Sequence, residues 1–213
     1  MKKIANRQVW FRTAVIVLSY ILVTVLLQSG VLNRQYTSLL VPIAVNIMLA
    51  VSLNLVTGFL GELTLGHAGF MSIGAYTGAL ISLNFGKTEI LPAAVAFALA
   101  LLCGGLMAAL FGFIIGVPVL RLRGDYLAIV TLAFGEIIKS VINSMEITNG
   151  ARGLTKIPLY SNYTNYTVVF ILMVVTVLAV TNLMNSRDGR AITAIRDNDI
   201  AAESIGIPVS YYK

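Results

Sequence analysis

Charge is scarce in this 213-residue chain. Asp, Glu, Lys and Arg together make up 11% of it, against roughly 25% in soluble domains. There is one cysteine, one histidine and one tryptophan. A single cysteine excludes an internal disulfide framework and a thiolate metal cluster, and Cys103 lies inside an apolar run, where it reads as a small packing residue. A single histidine, His67, excludes a histidine-rich metal site. No nucleophile with an adjacent base and no acid/base dyad stands out, which argues against an enzyme. What remains is apolar: 58% of residues are hydrophobic and the mean hydropathy is +0.88. This composition implies an all-α, polytopic integral membrane protein.

A spanning helix needs about 20 mostly apolar residues. Six segments approach that length: 14–27, 39–56, 68–85, 90–117, 126–142 and 167–184. The first follows Lys2, Lys3, Arg7 and Arg12, as the core of a signal peptide would, but no small-x-small cleavage site comes after it. An uncleaved first helix is therefore expected.

The excess of 15 basic over 9 acidic residues would, alone, suggest an anionic partner. In a membrane protein, basic residues flank the cytoplasmic ends of helices, so membrane lipid is the expected neighbour and no nucleic acid is. With a cytoplasmic N-terminus and six alternating helices, the inside holds Lys2, Lys3, Arg7, Arg12, Arg121, Arg123, Arg187, Arg190, Arg196 and Lys213. The outside holds Arg34, Lys87, Arg152 and Lys156, and Lys139 falls within a helix. The bias predicts N-in topology. Tyr160, Tyr163 and Tyr166 would form an interfacial aromatic group outside.

Segment 90–117 is longer than a perpendicular helix needs, so tilt or a break is expected. Pro92 and Pro118 bracket it, and Gly104-Gly105 is a soft point midway. The spacings Gly74/Gly78 and Gly112/Gly116 would let helix backbones approach closely.

Segment 58–69, GFLGELTLGHAG, combines Gly58, Gly61, Gly66 and Gly69 with Glu62 and His67 and carries no basic residue. Two readings fit: a broken or re-entrant segment beside a water-filled cavity, where irregular backbone is tolerated at membrane depth, or a tight ordinary loop. His67 reads as a hydrogen-bonded helix-end residue ahead of a gating role, and Glu62 is a candidate partner. Glu136 and Lys139 lie inside an apolar segment at i,i+3 spacing, where they can partly neutralise each other. They are either a structural pair, with Lys139 reaching outward, or a cavity-lining pair. The FGKT run at 85–88 lacks the glycine that a P-loop requires five residues before Gly86, where Ile81 stands. Nucleotide binding by this chain is rejected. The Asn-x-Thr matches at Asn162 and Asn165 read as chance.

The polar segment 186–208, SRDGRAITAIRDNDIAAESIGIP, is neither tail-like nor rich in Gly and Ser. A short helix is predicted over 199–205, capped by Asn198 or Asp199, released by Gly206 and blocked by Pro208.

At 58–79, GFLGELTLGHAGFMSIGAYTGA, at 120–139, LRLRGDYLAIVTLAFGEIIK, and at 189–206, GRAITAIRDNDIAAESIG, the sequence resembles the permeases of ABC importers for branched-chain amino acids, especially their M-type subunit. The resemblance implies a channel-forming subunit of the bacterial inner membrane that binds no cofactor itself. ATP would be bound by two ATPase subunits, a second related permease would complete the channel, and a periplasmic binding protein would deliver leucine, isoleucine or valine. Residues 1–213 would be one partial permease domain, with 186–208 its cytoplasmic coupling loop. That loop resembles the EAA-x-x-x-G pattern of ABC importers, here Ile200-Ala201-Ala202 and then Gly206, with Ile in place of Glu. Gly189, Arg190, Arg196, Asp197, Ala201, Ala202 and Gly206 are the expected ATPase-coupling residues. Gly58, Gly61, Glu62, Gly66, His67, Gly69, Tyr76 and Glu136 would border the translocation path. Family members continue with further spans, so the chain is expected to be truncated at its C-terminus. The alternatives are a permease of the same superfamily for urea or short amides, or an ion-coupled secondary transporter using Glu136 and Lys139.

Overall fold

The computed structural model describes residues 2–29, 33–88, 92–120, 122, 124–157 and 166–212. Among them there is no β-strand. A helix forms at each of the six apolar segments: α1 (Lys2–Gln28), α2 (Arg34–Asn54), α3 (His67–Thr88), α4 (Ala93–Val119), α5 (Asp125–Ser144) and α6 (Tyr166–Asn185). Three more follow in the polar region: α7 (Arg187–Asp197), α8 (Asp199–Ser204) and α9 (Val209–Tyr212). By length and apolarity four helical stretches can cross a membrane: Gln35–Leu60, Ala94–Val119, Asp125–Ser144 and Tyr166–Asn185. The apolar part of α1, Ala14–Leu27, is shorter, and α3 is diluted by Gly, Ser, Thr and Asn. Tyr160, Tyr163, Asn162, Asn165, Arg121, Arg123 and Lys213 lie outside the described residues.

The chain forms two compact units. One contains α1, most of α2 and α6. Its core is Ala44, Tyr166, Val169 and Phe170, against which Tyr20, Val23, Leu40 and Met48 pack. Tyr20 and Phe170 approach to 5.2 Å between ring centroids, and the Tyr20 and Thr167 hydroxyls share a 2.9 Å hydrogen bond. Such an inter-helix bond satisfies two hydroxyls that lipid could not. Tyr166, expected in an interfacial aromatic group, is buried in this core.

The other unit contains α3 to α5 and α7 to α9. Helix α3 lies along α4 through small residues, as the glycine spacing on α3 predicts. A Cβ on Gly74 would lie 3.3 Å from the Gly104 carbonyl, and one on Gly78 would lie 3.1 Å from the Ala100 carbonyl. The α4 side departs from expectation. Gly112 has nothing within 4 Å of where its Cβ would be, so the close approach is made by Ala100 and Gly104 instead of Gly112 and Gly116. Gly104 is thus a contact point, and α4 runs unbroken from Ala93 to Val119. Many large apolar side chains stay exposed along α4, among them Leu102, Leu106 and Phe113. In an apolar helix these are surfaces for lipid or for another membrane subunit.

Candidate functional site

Helix α2 does not end in an ordinary cap. It passes into a π-helical turn, Leu55–Leu60, a widened geometry common at functional positions. Gly58 and the β-branched Val56 and Thr57 weaken the α-helix here, and the Asn54 amide lies against the Gly58 Cα. The chain leaves the turn at Gly61, whose φ of +78° is left-handed backbone that glycine adopts without strain.

Residues 61–66 then run without helix up to α3, and this stretch packs against α5. The Leu65 N–H donates to the Thr131 hydroxyl at 3.0 Å, and that hydroxyl donates to the Ala128 carbonyl at 3.0 Å. A Cβ on Gly66 would lie 2.7 Å from the Thr131 carbonyl, and one on Gly69 would lie 3.1 Å from the Gly135 Cα. Counted from Asp125, Thr131 is about 9 Å and Gly135 about 15 Å along α5. Segment 58–69 is therefore a broken connection laid along a membrane-crossing helix, with Gly66 and Gly69 buried against it while Leu63 and Leu65 stay about half exposed. It is not a tight loop. His67 starts α3 at the end of this connection, half-buried.

Glu136 and Lys139 do pair, Nζ to Oε2 at 3.4 Å, with both side chains 65% exposed. Leu127, Ala128, Thr131 and Ile142 form the buried face of α5, and helical periodicity turns Glu136 away from it. Glu136 is thus not gathered with Gly66 and Gly69. Tyr76, on α3, has its hydroxyl 3.8 Å from where a Cβ on Gly153 would be.

The polar segment contains one helix more than expected. Ser186 caps α7, its hydroxyl accepting from the Gly189 N–H at 3.2 Å. Gly189 is buried, and its carbonyl accepts from the Thr193 hydroxyl at 2.8 Å. Arg190 donates to the Asn185 carbonyl at 3.3 Å. Asn198 ends α7 and caps α8 by accepting from the Ala201 N–H at 3.0 Å, the cap expected from sequence. Helix α8 closes as a Schellman motif: Gly206 N–H donates to Glu203 and Ile207 N–H to Ala202, both at 3.0 Å. Gly206 has φ +88°. Ala202 and Ile195 are buried, whereas Ile200 and Ile205 are 73% and 75% exposed. In α9, the Tyr212 hydroxyl donates to Asp188 at 3.3 Å. Local desolvation, together with the Asp188 carboxylate, raises its pKa above the usual phenol value, so it remains a donor at neutral pH.

Arg196 joins the two regions. Its Nε and Nη2 donate to Asp197 Oδ1 at 3.3 and 3.1 Å, and its Nη1 donates to the Gly58 carbonyl at 3.0 Å. An open groove of about 420 Å³ lies alongside, lined by Leu60, Gly61, Glu62, Gly124 and residues Ile195 to Asp199. Sequence reasoning places Gly58, Gly61 and Arg196 in two different functions; the structure brings them into contact. Among the described residues no group of three His, Cys, Asp or Glu side chains could hold a metal ion.

Apolar helices, a span broken by glycine and packed on its neighbour, and a capped polar helix pair together define an all-α polytopic membrane protein. The sequence profile of the family described as branched-chain amino acid transport system / permease component matches residues 35–213, and the chain belongs to that family. It is 50% identical over 113 residues to the high-affinity branched-chain amino acid transport system permease protein LivM of Escherichia coli strain K12, and 49% identical over 113 residues to the protein of the same name from Salmonella typhimurium strain LT2. Each match covers 53% of this chain and 25% of the relative, so the chain spans about a quarter of the length of the curated relatives it matches. No solved structure matches.

Proposed function

We propose that this chain is part of the transmembrane permease subunit of an ATP-driven importer for branched-chain amino acids, leucine, isoleucine and valine, in the bacterial inner membrane. The observation that carries the reading is the 50% identity to a permease named for that transport system. The chain itself performs no chemistry and holds no cofactor. Two ATPase subunits bind and hydrolyse ATP, a second related permease completes the path, and a periplasmic binding protein delivers the substrate. The N-terminus and residues 186–208 lie on the cytoplasmic side. The broken connection, through Gly58, Gly61, Glu62, Gly66, His67 and Gly69, borders the path together with Tyr76 and Glu136.

Docking on the ATPase is assigned to α7 and α8, with Gly189, Arg190, Arg196, Asp197, Ala201, Ala202 and Gly206 shaping them. The geometry supports this for α8 in particular. An exposed isoleucine on this six-residue helix, Ile200, and another at its C-cap, Ile205, gain nothing from water, whereas Ala202 and the Schellman turn hold them in fixed directions. Ile200 stands where the family pattern has Glu, so an apolar contact replaces an ion pair there.

The test is reconstitution of the intact permease that contains this chain, with its ATPases, second permease and binding protein, in sealed vesicles. ATP-dependent uptake of labelled leucine is expected. Uptake of urea in place of leucine would move the substrate to short amides, and leucine uptake driven by an ion gradient without ATP would overturn the importer reading.

A further inference from the structure

The π-helical turn and α7 are 138 residues apart in sequence, yet one side chain ties them together. The Arg196 stem lies on Gly61: a Cβ there would be 2.6 Å from Arg196 Cγ. From that seat the guanidinium reaches the Gly58 carbonyl, and Asp197 fixes its plane with two hydrogen bonds to one oxygen. The base of the arm is fixed too, because the neighbouring Ile195 is 4% exposed and anchors α7.

Gly58 and Gly61, together with the Glu62 N–H that donates to the Val56 carbonyl at 3.2 Å, hold the chain as it enters the stretch without helix. Its far end is held as well, by the Leu65 N–H on Thr131 and by Gly66 against the Thr131 carbonyl. Only four residues, 62 to 65, separate Gly61 from Gly66, so a displacement at one anchor meets little slack before it reaches the other. A shift of α7 therefore acts on Gly58 and Gly61, and through 61–66 on the start of α3 and on α5.

Resting on the importer reading above, we infer that Arg196 is a positioning residue that links movement of the α7–α8 element to the broken connection at Gly58, and so joins ATP hydrolysis by the partner to opening of the path. It faces its own chain here, so this role differs from contact with a partner surface. Arg suits it because a planar fork can hold a carboxylate oxygen and a carbonyl together.

Two measurements on the intact permease test this, with Arg196→Met, which keeps the stem, and Arg196→Lys, which keeps one charged donor. The first is amide hydrogen exchange in the permease alone. Arg196→Met is expected to raise exchange at Glu62 and Leu65 by about tenfold, the loss of one charge-assisted bond, while amides in α6 are unchanged. Unchanged exchange at Glu62 and Leu65 overturns the link, whatever the substrate. The second is the ratio of leucine taken up to ATP hydrolysed in the reconstituted complex. With the amount of bound ATPase measured alongside, Arg196→Met should lower the leucine taken up per ATP hydrolysed by about tenfold, with Arg196→Lys recovering part of it. A fall in uptake that only parallels a fall in hydrolysis, or no fall at all, overturns the coupling role. A wild-type complex that takes up no leucine counts against the importer reading, and the exchange experiment still decides whether Arg196 holds the connection.

Discussion

The Thr131 hydroxyl accepts from the Leu65 N–H at 3.0 Å while donating its own proton to the Ala128 carbonyl at 3.0 Å. One side chain therefore satisfies a backbone donor that the broken connection leaves without a helical partner, at a site where Thr131 is 7% exposed. A threonine inside a helix ordinarily bonds back to its own preceding turn. Here the same oxygen has a lone pair left for a neighbouring segment.

Thr131→Val keeps the shape and removes the acceptor, leaving the part-buried Leu65 N–H without its partner. The expected cost is about 1–3 kcal/mol. Thr131→Ser, which retains the hydroxyl, is expected to lose less. Denaturation of the purified permease in detergent measures both. Equal stability of Thr131→Val and wild type would show that water reaches Leu65.

The adjacent glycines of α4 give a paired prediction. A Cβ at Gly104 would meet the Gly74 carbonyl at 2.6 Å, and backbone cannot swing aside, whereas a Cβ at Gly105 meets nothing within 4 Å. Gly104→Ala should therefore separate α3 from α4 and lower the denaturation midpoint. Gly105→Ala should leave it unchanged or raise it slightly, because alanine is favoured over glycine in a helix by about 1 kcal/mol. The reverse order would mean that the two helices pack through another face.

These positions show how far the sequence carries. Apolar length alone places all six helices, with most ends shifted by a few residues, whereas α1 begins at Lys2, twelve residues before its apolar segment, through a polar and basic stretch. Asn198, Gly206 and Pro208 mark α8 because capping is local chemistry. The helix before it, α7, was legible in principle from Ser186 with Asp188 in the first turn, but Gly189 and a run of charges obscured its periodicity. The α3–α4 contact was half legible: Gly74 and Gly78 are in it, but which α4 glycines face them depends on helix rotation, which spacing does not fix. The Arg196 bond to Gly58 left no trace in local pattern, since it depends on how distant elements pack.

Glu136 and Lys139 can be tested as a pair. In lipid an isolated charge costs about 2.5 to 3.5 kcal/mol near the centre of a helix, and the 3.4 Å contact offsets part of this for both residues. Lys139→Met alone should lower the yield of folded permease in the membrane. The double variant with Glu136→Gln should restore much of that yield, because no uncompensated carboxylate remains. If each change costs the same with or without the other, the two charges act independently.

The caps on α8 are open to a direct test, because a six-residue helix is too short to persist on its own hydrogen bonds. Asn198→Ala removes the acceptor for the Ala201 N–H and should cost about 1 kcal/mol. Gly206→Ala meets no atom within 4 Å, so its cost is backbone strain alone, about 1–2 kcal/mol at φ +88°. Gly206→Asn should cost less, since asparagine tolerates the left-handed region. Limited proteolysis across 198–208 reads the fraying, and equal cleavage of all three variants and wild type would show that the partner, and not the caps, orders this helix.

Ile200 and Ile205 separate docking from folding. Both are largely exposed while Ala202, between them, is buried, so replacing them leaves the internal packing of α8 untouched. Ile200→Asp and Ile205→Asp are each expected to weaken co-purification of the ATPase with the intact permease by about tenfold or more, as loss of a buried apolar anchor of about 1.5–3 kcal/mol would. Neither should change membrane insertion or protease resistance across 198–208. Ile200→Glu restores the residue type of the family pattern and offers a cationic ATPase surface an ion pair. If it binds better than Ile200→Asp, the partner presents a basic residue there; if both fail alike, the pocket facing position 200 is apolar. Undiminished ATPase binding by the double variant Ile200→Asp/Ile205→Asp would remove α8 from the docking surface.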